Sequence, residues 1–224
     1  MNSFVDSKEL YEKNLVEKFK KWANNDLYTA EKVFKNRYKD NLKSSKFLDI
    51  GIGCGRTTVH FINIVKEYYG IDYSENMIRN CVINNDNIFV SDAANMIQFK
   101  DNEFDIIMFS TQGIDCCEHD MRMKILKEIN RTLKPGGLFI ISSHNLLSSD
   151  PIINKIENLN YQYFYDYIHD DLLTYCVSPM EFKKQLKNNN FELIEIIDYE
   201  GNIIKDPEDV PKTTYWPYYI SKKI

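Results

Sequence analysis

The chain has no internal repeat, no low-complexity tail and no stretch that reads as a linker, so solenoids, arrays and disordered scaffolds are excluded. It has no uncharged apolar run long enough to cross a bilayer, and its first ten residues are polar and carry charges. Neither a membrane partner nor a secretory leader is therefore expected. Positive charge is not in excess: a formal net charge of -5 and a pI near 5.5 give no overall attraction for phosphate backbones, and nucleic acid is not an expected partner. Its five cysteines, Cys54, Cys81, Cys116, Cys117 and Cys176, stand in no metal-ligand spacing, so no metal site is expected. The odd count without a leader predicts reduced thiols in a cytoplasmic protein. What is present is 224 residues, enough for one domain with a sizeable core.

The rest of the sequence is organised around one stretch. Lys46-Phe47-Leu48-Asp49-Ile50 runs into Gly51-Ile52-Gly53-Cys54-Gly55, and Phe61, Ile62, Val65 and Tyr68 then recur at helical spacing. Apolar residues met at once by glycines read as a buried strand ending in a tight turn, and the spacing predicts a helix after it. Glycine there lets the backbone take positive φ and lets a ligand lie almost against the main chain. The dinucleotide fingerprint Gly-x-Gly-x-x-Gly needs its last glycine where Arg56 or Thr58 stands, so that reading fails. What stands here instead, Asp49 two residues before a Gly-x-Gly-x-Gly run, resembles motif I of the class I S-adenosylmethionine-dependent methyltransferases.

Three further stretches extend the resemblance. Tyr69-Gly70-Ile71-Asp72 ends in an aspartate 21 residues beyond Gly51, the distance at which a second parallel strand presents a carboxylate to the ribose hydroxyls of a nucleoside. Tyr73 follows, where it would lie against adenine, and Ser74 is placed to cap a helix. Ile88-Phe89-Val90 ends at Ser91-Asp92-Ala93, which matches the family's motif II. That match implies that Asp92 accepts from the adenine amino group while the Ala93 amide donates to a ring nitrogen. Phe104 to Ser110 reads as a fourth strand, covered on both faces, whose exit Ser110 to Asp115 faces the ligand crevice. Arg131-Thr132-Leu133-Lys134-Pro135-Gly136-Gly137 resembles the motif III region, after a helix from Met121 to Leu133 and before a fifth strand, Leu138 to Ile141, that opens at Ser142-Ser143-His144-Asn145. No Asn/Asp-Pro-Pro-aromatic loop follows the fourth strand, unlike the family's DNA adenine and protein glutamine enzymes.

The resemblance implies an α/β fold, a Rossmann-like doubly wound seven-stranded sheet, mostly parallel with a C-terminal antiparallel hairpin. Phe191 to Ile197 and Tyr215 to Ile220 supply that hairpin. A single domain is expected over residues 1–224. Its N-terminal helices, up to about residue 42, are marked by Tyr11, Leu15, Phe19 and Trp22 and then by Ala30, Val33, Phe34 and Arg37, and are expected over the cofactor site. Tyr28 and Glu31 match the family's tyrosine and glutamate about twenty residues before motif I, although an amphipathic core edge explains Tyr11 and Tyr28 equally well. Residues 146–177, where Tyr161, Tyr163, Phe164, Tyr165, Tyr167 and Tyr175 crowd together, read as a lid, as a small helical subcore, or as both. Ser178-Pro179-Met180-Glu181 reads as a capping-box helix start.

S-adenosyl-L-methionine is the cofactor that the resemblance implies. Its expected contacts are Tyr28, Asp49, Gly51, Gly53, Gly55, Arg56, Asp72, Tyr73, Met77, Asp92, Ala93, Ser110 and Gln112. For Arg56, pairing with the cofactor carboxylate and capping nearby acidic groups are both open. The expected partner is a small-molecule acceptor, and the chain is expected to be a monomer or homodimer. A hydroxyl acceptor must lose its proton near the transition state, and His144 and Asp115 are the ionisable groups best placed by the topology to assist. His60 and His119 read as structural or solvated, and His169 stays open. The expected reaction is methyl transfer to O or N of a small polar metabolite, a sugar or other precursor of a surface glycan or natural product. The contrasting expectation is a non-catalytic binding protein.

Overall fold

The computed structural model describes residues 15–151, 153, 161–166 and 172–224. Tyr11, Tyr167 and His169 lie outside the described residues, as does the first part of the expected leading helix. The chain opens with helices α1 (Val16–Trp22), α2 (Thr29–Arg37) and α3 (Lys39–Ser44). Then follow β1 (Lys46–Ile50), α4 (Thr58–Phe61), β2 (Glu67–Asp72), α5 (Glu75–Arg79), β3 (Ile88–Val90) and β4 (Phe104–Phe109). After a 3-10 turn at Gly113–Cys116 come α6 (His119–Thr132), β5 (Leu133–Ser142), β6 (Tyr161–Asp166) and β7 (Leu172–Val177). The chain closes with α7 (Pro179–Asn188), β8 (Phe191–Ile197), β9 (Ile203–Ile204) and β10 (Tyr218–Lys223).

The main sheet has the order β3-β2-β1-β4-β5-β10-β8-β9. Every pair from β3 to β5 is parallel, and β10 pairs antiparallel with both β5 and β8. This is the expected mostly parallel sheet with antiparallel C-terminal strands. It has eight strands rather than seven because Ile203 and Ile204 add a short edge beside Ile197 and Ile196. Sequence order runs outward from β1 in both directions, so the switch point lies between β1 and β4, with a crevice at their carboxyl ends.

Alternate residues of the strands feed two cores, as the pleat requires. Leu48, Ile50, Ile107, Phe109, Phe139 and Ile141 pack on one face with Ile125, Leu126 and Ile129 of α6 and Phe182 and Leu186 of α7. Phe47, Ile106, Met108 and Ile140 pack on the other with Phe34, Leu42 and Phe61 from α2, α3 and α4. Each such side chain contributes about 1.5 to 3 kcal/mol by leaving water.

Local chemistry sets the element ends. Ser74 Oγ accepts from the Met77 amide at 3.2 Å and Ser178 Oγ from the Glu181 amide at 3.1 Å, so α5 and α7 begin where a cap is available. The helix expected to run on to Tyr68 instead stops at Phe61. The Lys66 and Glu67 amides turn to the Ser45 carbonyl at 3.1 and 3.2 Å, which starts β2 early and puts Tyr68 in the sheet. β5 likewise starts at Leu133, with the Pro135-Gly136-Gly137 stretch absorbed into a strand whose register against β4 shifts between Phe104 and Ile106. In the tyrosine-rich segment, β6 and β7 form an antiparallel hairpin, so its described part is a strand pair and not a helical subcore.

Candidate active site

The glycine turn closes over the end of β1. Gly51, Gly53 and Gly55 have φ of +68°, +54° and +98°, the left-handed region in which a side chain is strained. A Cβ on Gly53 would stand 2.9 Å from the Phe19 ring, and one on Gly51 2.9 Å from the Phe109 ring. The turn is tied to the next strand: Asp72 Oδ2 accepts from the Gly53 amide at 2.8 Å, and Asp72 Oδ1 accepts from the Ser74 amide at 2.9 Å. One carboxylate thus orients both the glycine turn and the start of α5.

A cavity of about 590 Å³ opens at these carboxyl ends. Of the residues expected to touch cofactor, Gly51, Gly53, Asp72, Tyr73, Met77, Asp92, Ala93 and Ser110 line it. Ile50, Ile71, Phe109 and Ile125 make much of the wall apolar, and the acidic groups on it are Asp72, Asp92 and Glu118. Asp92 is exposed and accepts from the Ala94 amide at 2.8 Å. Phe19, Thr111, Cys116, Cys117, Glu118 and Met121 also line the cavity. Phe19 belongs to the helices expected over the site and Thr111 to the strand exit expected to face the crevice, whereas the sequence carried no signal for the other four. The structure puts Thr111 and Gln112 in succession at φ +59° and +55°, a strained geometry for a β-branched residue next to the ligand crevice.

The remaining expected contacts lie off the main wall. Asp49 turns away from it: its Oδ2 accepts from Thr57 Oγ1 at 2.6 Å and from Tyr68 OH at 2.9 Å, which pins the turn from beneath. Burial pushes its carboxyl up to about 7, against the lowering effect of those two hydrogen bonds. Arg56 is bidentate to Glu31, Nη1 to Oε2 and Nη2 to Oε1, both at 2.7 Å. Its Nη2 also reaches Thr111 Oγ1 at 3.2 Å, and its guanidinium lies 4.3 Å from the centroid of the Tyr28 ring. Arg56 thus pairs with an acidic group of α2. Glu31 further accepts from the Tyr28 amide, from Ser110 Oγ and from Tyr218 OH, so this wholly buried carboxylate fastens α2 to the ends of β4 and β10. Gln112 donates to Ser142 Oγ through its amide at 3.0 Å and through Nε2 at 3.2 Å.

His144 and Asp115 come together at the 3-10 turn; neither is on the cavity wall, which Gly113 and Cys116 of that turn line. His144 Nδ1 lies 2.9 Å from Asp115 Oδ2, and the His144 amide donates to the same oxygen at 2.7 Å. Asp115 Oδ1 accepts from Arg122 Nη1 at 2.5 Å and from Ser143 Oγ at 2.7 Å. Burial works to raise the Asp115 carboxyl, but Arg122 and His144 outweigh it and hold the group below its ordinary value. An ionised Asp115 fixes the Nδ1–H tautomer of His144 and leaves Nε2 as the basic nitrogen. His60 Nε2 stands 3.4 Å from the Asn25 carbonyl, and His119 Nδ1 stands 2.8 Å from Tyr175 OH, so both make structural hydrogen bonds. Arg122 was readable in principle. It shares the 122, 125, 126, 129 face of α6 with three buried apolar residues, and a charge on such a stripe signals a buried partner.

Comparison with known proteins agrees with this geometry. A family model described as a methyltransferase domain matches residues 48–141, from β1 to the end of the fifth strand's core. The demethylmenaquinone methyltransferase of Staphylococcus aureus is 29% identical over 162 residues, which take in 67% of this chain. The match spans 64% of that relative's length. Among solved structures, an S-adenosylmethionine-dependent methyltransferase from Clostridium acetobutylicum superposes with a TM-score of 0.66 at 17% identity, covering 96% of each chain. The CcbJ methyltransferase from Streptomyces caelestis does so with a TM-score of 0.70 at 12% identity, covering 96% of this chain and 98% of its own. Among the described residues no helix is long and apolar enough to cross a membrane. The methyltransferase-domain match over β1 to β5, the cavity at the carboxyl ends of those strands and the fold shared with solved S-adenosylmethionine-dependent methyltransferases together support a class I S-adenosylmethionine-dependent methyltransferase.

Proposed function

We propose that this chain transfers a methyl group from S-adenosylmethionine to an oxygen or nitrogen of a small polar metabolite, a sugar or other precursor of a surface glycan or natural product. The observation that carries the reading is the convergence of the glycine turn, Asp72 and Asp92 on one cavity at the tips of three adjacent parallel strands. The cavity suits the cofactor: its 590 Å³ falls in the range of nucleoside-sized ligands, and its apolar walls with a few convergent polar groups suit an adenosine. At Gly51 and Gly53 a Cβ would collide with the Phe109 and Phe19 rings, so the turn that meets the cavity needs glycine at both positions.

On this reading Asp72 holds the ribose hydroxyls, Tyr73 and Met77 flank the base, and Asp92 with the Ala93 amide reads its edge. Bound there, S-adenosylmethionine supplies a methyl group on a sulfonium, open to in-line attack by an acceptor lone pair. The chain's own work is to position the two partners and exclude water. For a hydroxyl acceptor, His144 takes the proton at Nε2 while Asp115 holds the ring through Nδ1. The N-terminal helices, which bring Phe19 to the cavity, and the tyrosine-rich segment are proposed to cover the site within a single domain. The Staphylococcus aureus relative, named for demethylmenaquinone, supports a small-molecule acceptor.

The test is calorimetry with S-adenosylhomocysteine, followed by a screen of sugars, nucleotide sugars and related metabolites with methylated mass as the readout. Micromolar-range binding and at least one methylated product are expected. Binding without turnover on any acceptor would point to a non-catalytic S-adenosylmethionine-binding protein, and no binding would overturn the assignment. His144→Ala should bind S-adenosylhomocysteine like wild type but turn over a hydroxyl acceptor about 10²- to 10⁴-fold more slowly; unchanged turnover would reject it as the base.

A further inference from the structure

Outside the cavity wall, a buried ion-pair cluster is centred on Arg122. Its side chain is fully buried, and it reaches four elements from α6. Nε donates to Gln185 Oε1 of α7 at 3.0 Å, Nη1 to Asp115 at 2.5 Å, and Nη2 to Ser143 Oγ after β5 at 2.9 Å. Its guanidinium stacks at 4.8 Å from the Phe182 centroid and 5.3 Å from that of Tyr175 on β7. A buried ion pair of this kind is a poor source of stability, because two well-packed apolar side chains would serve as well or better. Its retention calls for a task that needs the charge.

The task is legible in what Asp115 does with its two oxygens. One faces Arg122 and Ser143, the other faces the Nδ1 and amide of His144. We propose that Arg122 is a positioning residue for the methyl-transfer site: by neutralising Asp115 from behind, it keeps His144 from being locked in its protonated, non-basic form. The inference rests on the reading of His144 as the base. A lone buried carboxylate against an imidazole stabilises the imidazolium, and a base already protonated cannot accept a proton. The guanidinium removes most of that bias while leaving the carboxylate free to orient the ring. Ser143 serves both partners, accepting from Arg122 and donating to Asp115, which fixes the spacing of the charges.

The other ionisable groups around the pair do not supply this balance. Tyr219 of β10, Cys117 beyond the 3-10 turn and Cys176 of β7 all lie within the field of Asp115 and Arg122, and burial pushes each of them up, so they are neutral near pH 7. His119 of α6 is engaged with Tyr175 OH at 2.8 Å, and Asp150 acts on Cys176. Among the described residues, Arg122 is the cation that pairs with Asp115 through a side chain other than histidine.

The experiment follows the imidazole of His144 by NMR in the full-length protein across pH 4.5 to 9, in wild type, Arg122→Gln and Arg122→Lys, alongside the pH profile of kcat/KM. In Arg122→Gln the His144 titration should move up by roughly one to two pH units, and the acid limb of the rate profile with it, about tenfold in rate per unit on that limb. Arg122→Lys, which keeps the charge, should titrate within about 0.3 units of wild type. S-adenosylhomocysteine affinity should be the same in all three, since Arg122 is not on the cavity wall. An unmoved His144 titration in Arg122→Gln, or an equal shift in Arg122→Lys, would overturn the proposal. A moved titration with an unmoved rate profile upholds the action of Arg122 on His144 and rejects His144 as the base. Should Arg122→Gln not fold, Arg122→Met takes its place in the same titration, and an unmoved His144 there overturns the proposal.

Discussion

The Gly53 amide donates to Asp72 Oδ2 at 2.8 Å, across 19 residues of sequence, so the glycine turn and the carboxylate at the tip of the next strand form one unit. Asp72→Ala therefore removes a proposed ligand contact and an anchor of the turn together. Its S-adenosylhomocysteine affinity should fall by about 1 to 3 kcal/mol through unpaired ribose hydroxyls. Equal calorimetric binding by wild type and variant would refute the ribose role.

Gly53→Ala tests the turn from the other side. At φ +54° an alanine is strained, and its Cβ would meet the Phe19 ring of α1 at 2.9 Å. A loss of about 1 to 2 kcal/mol in denaturant unfolding is expected, together with weaker cofactor binding as the ring shifts. A variant as stable as wild type would show that the turn relaxes without cost.

Glu31 makes the strongest stability case. It is wholly buried and carries the charge that compensates Arg56. Glu31→Gln leaves the guanidinium buried without its counter-ion and should cost about 3 to 5 kcal/mol in urea unfolding. A loss under 1 kcal/mol would mean that the Arg56 guanidinium moves out to solvent.

Asp49 predicts a pH dependence. Its carboxyl sits at about 7 in the folded chain against an ordinary 3.8, so the native state retains a proton that the unfolded chain releases earlier. Stability from this group is thus fully present below pH 4, falls as pH rises from about 4 to 7, and changes no further above that. Asp49→Asn, which still accepts from Thr57 and Tyr68, should abolish this slope. It should exceed wild type in stability above pH 7 by an amount on the order of 1 to 4 kcal/mol. Parallel pH profiles for the two proteins would exclude the raised value.

Much of this was legible from local pattern. The β1 apolar run, the glycine turn and the strand-ending Asp72 and Asp92 are set by near neighbours in sequence, and a parallel sheet repeats that geometry strand after strand. Ser74 and Ser178 capped the helices their sequence marked. The reading failed where a distant partner competed: the Ser45 carbonyl captured the amides of Lys66 and Glu67, and a run with helical spacing became the start of β2. The Arg56–Glu31 pair, 25 residues apart, was not legible in the sequence, because only the approach of α2 brings the two together.

The sequence by itself determined the parallel strands of the sheet and the residues at their tips, because hydrophobic period, glycine conformation and strand-end position are local properties. The tertiary structure alone decided which charges meet: Asp49 beneath the turn with Thr57 and Tyr68, Glu31 with Arg56, and Asp115 between Arg122 and His144. Those pairings depend on how helices and strand ends from separate parts of the chain pack. A buried charge takes whatever partner that packing delivers, and no local pattern encodes it.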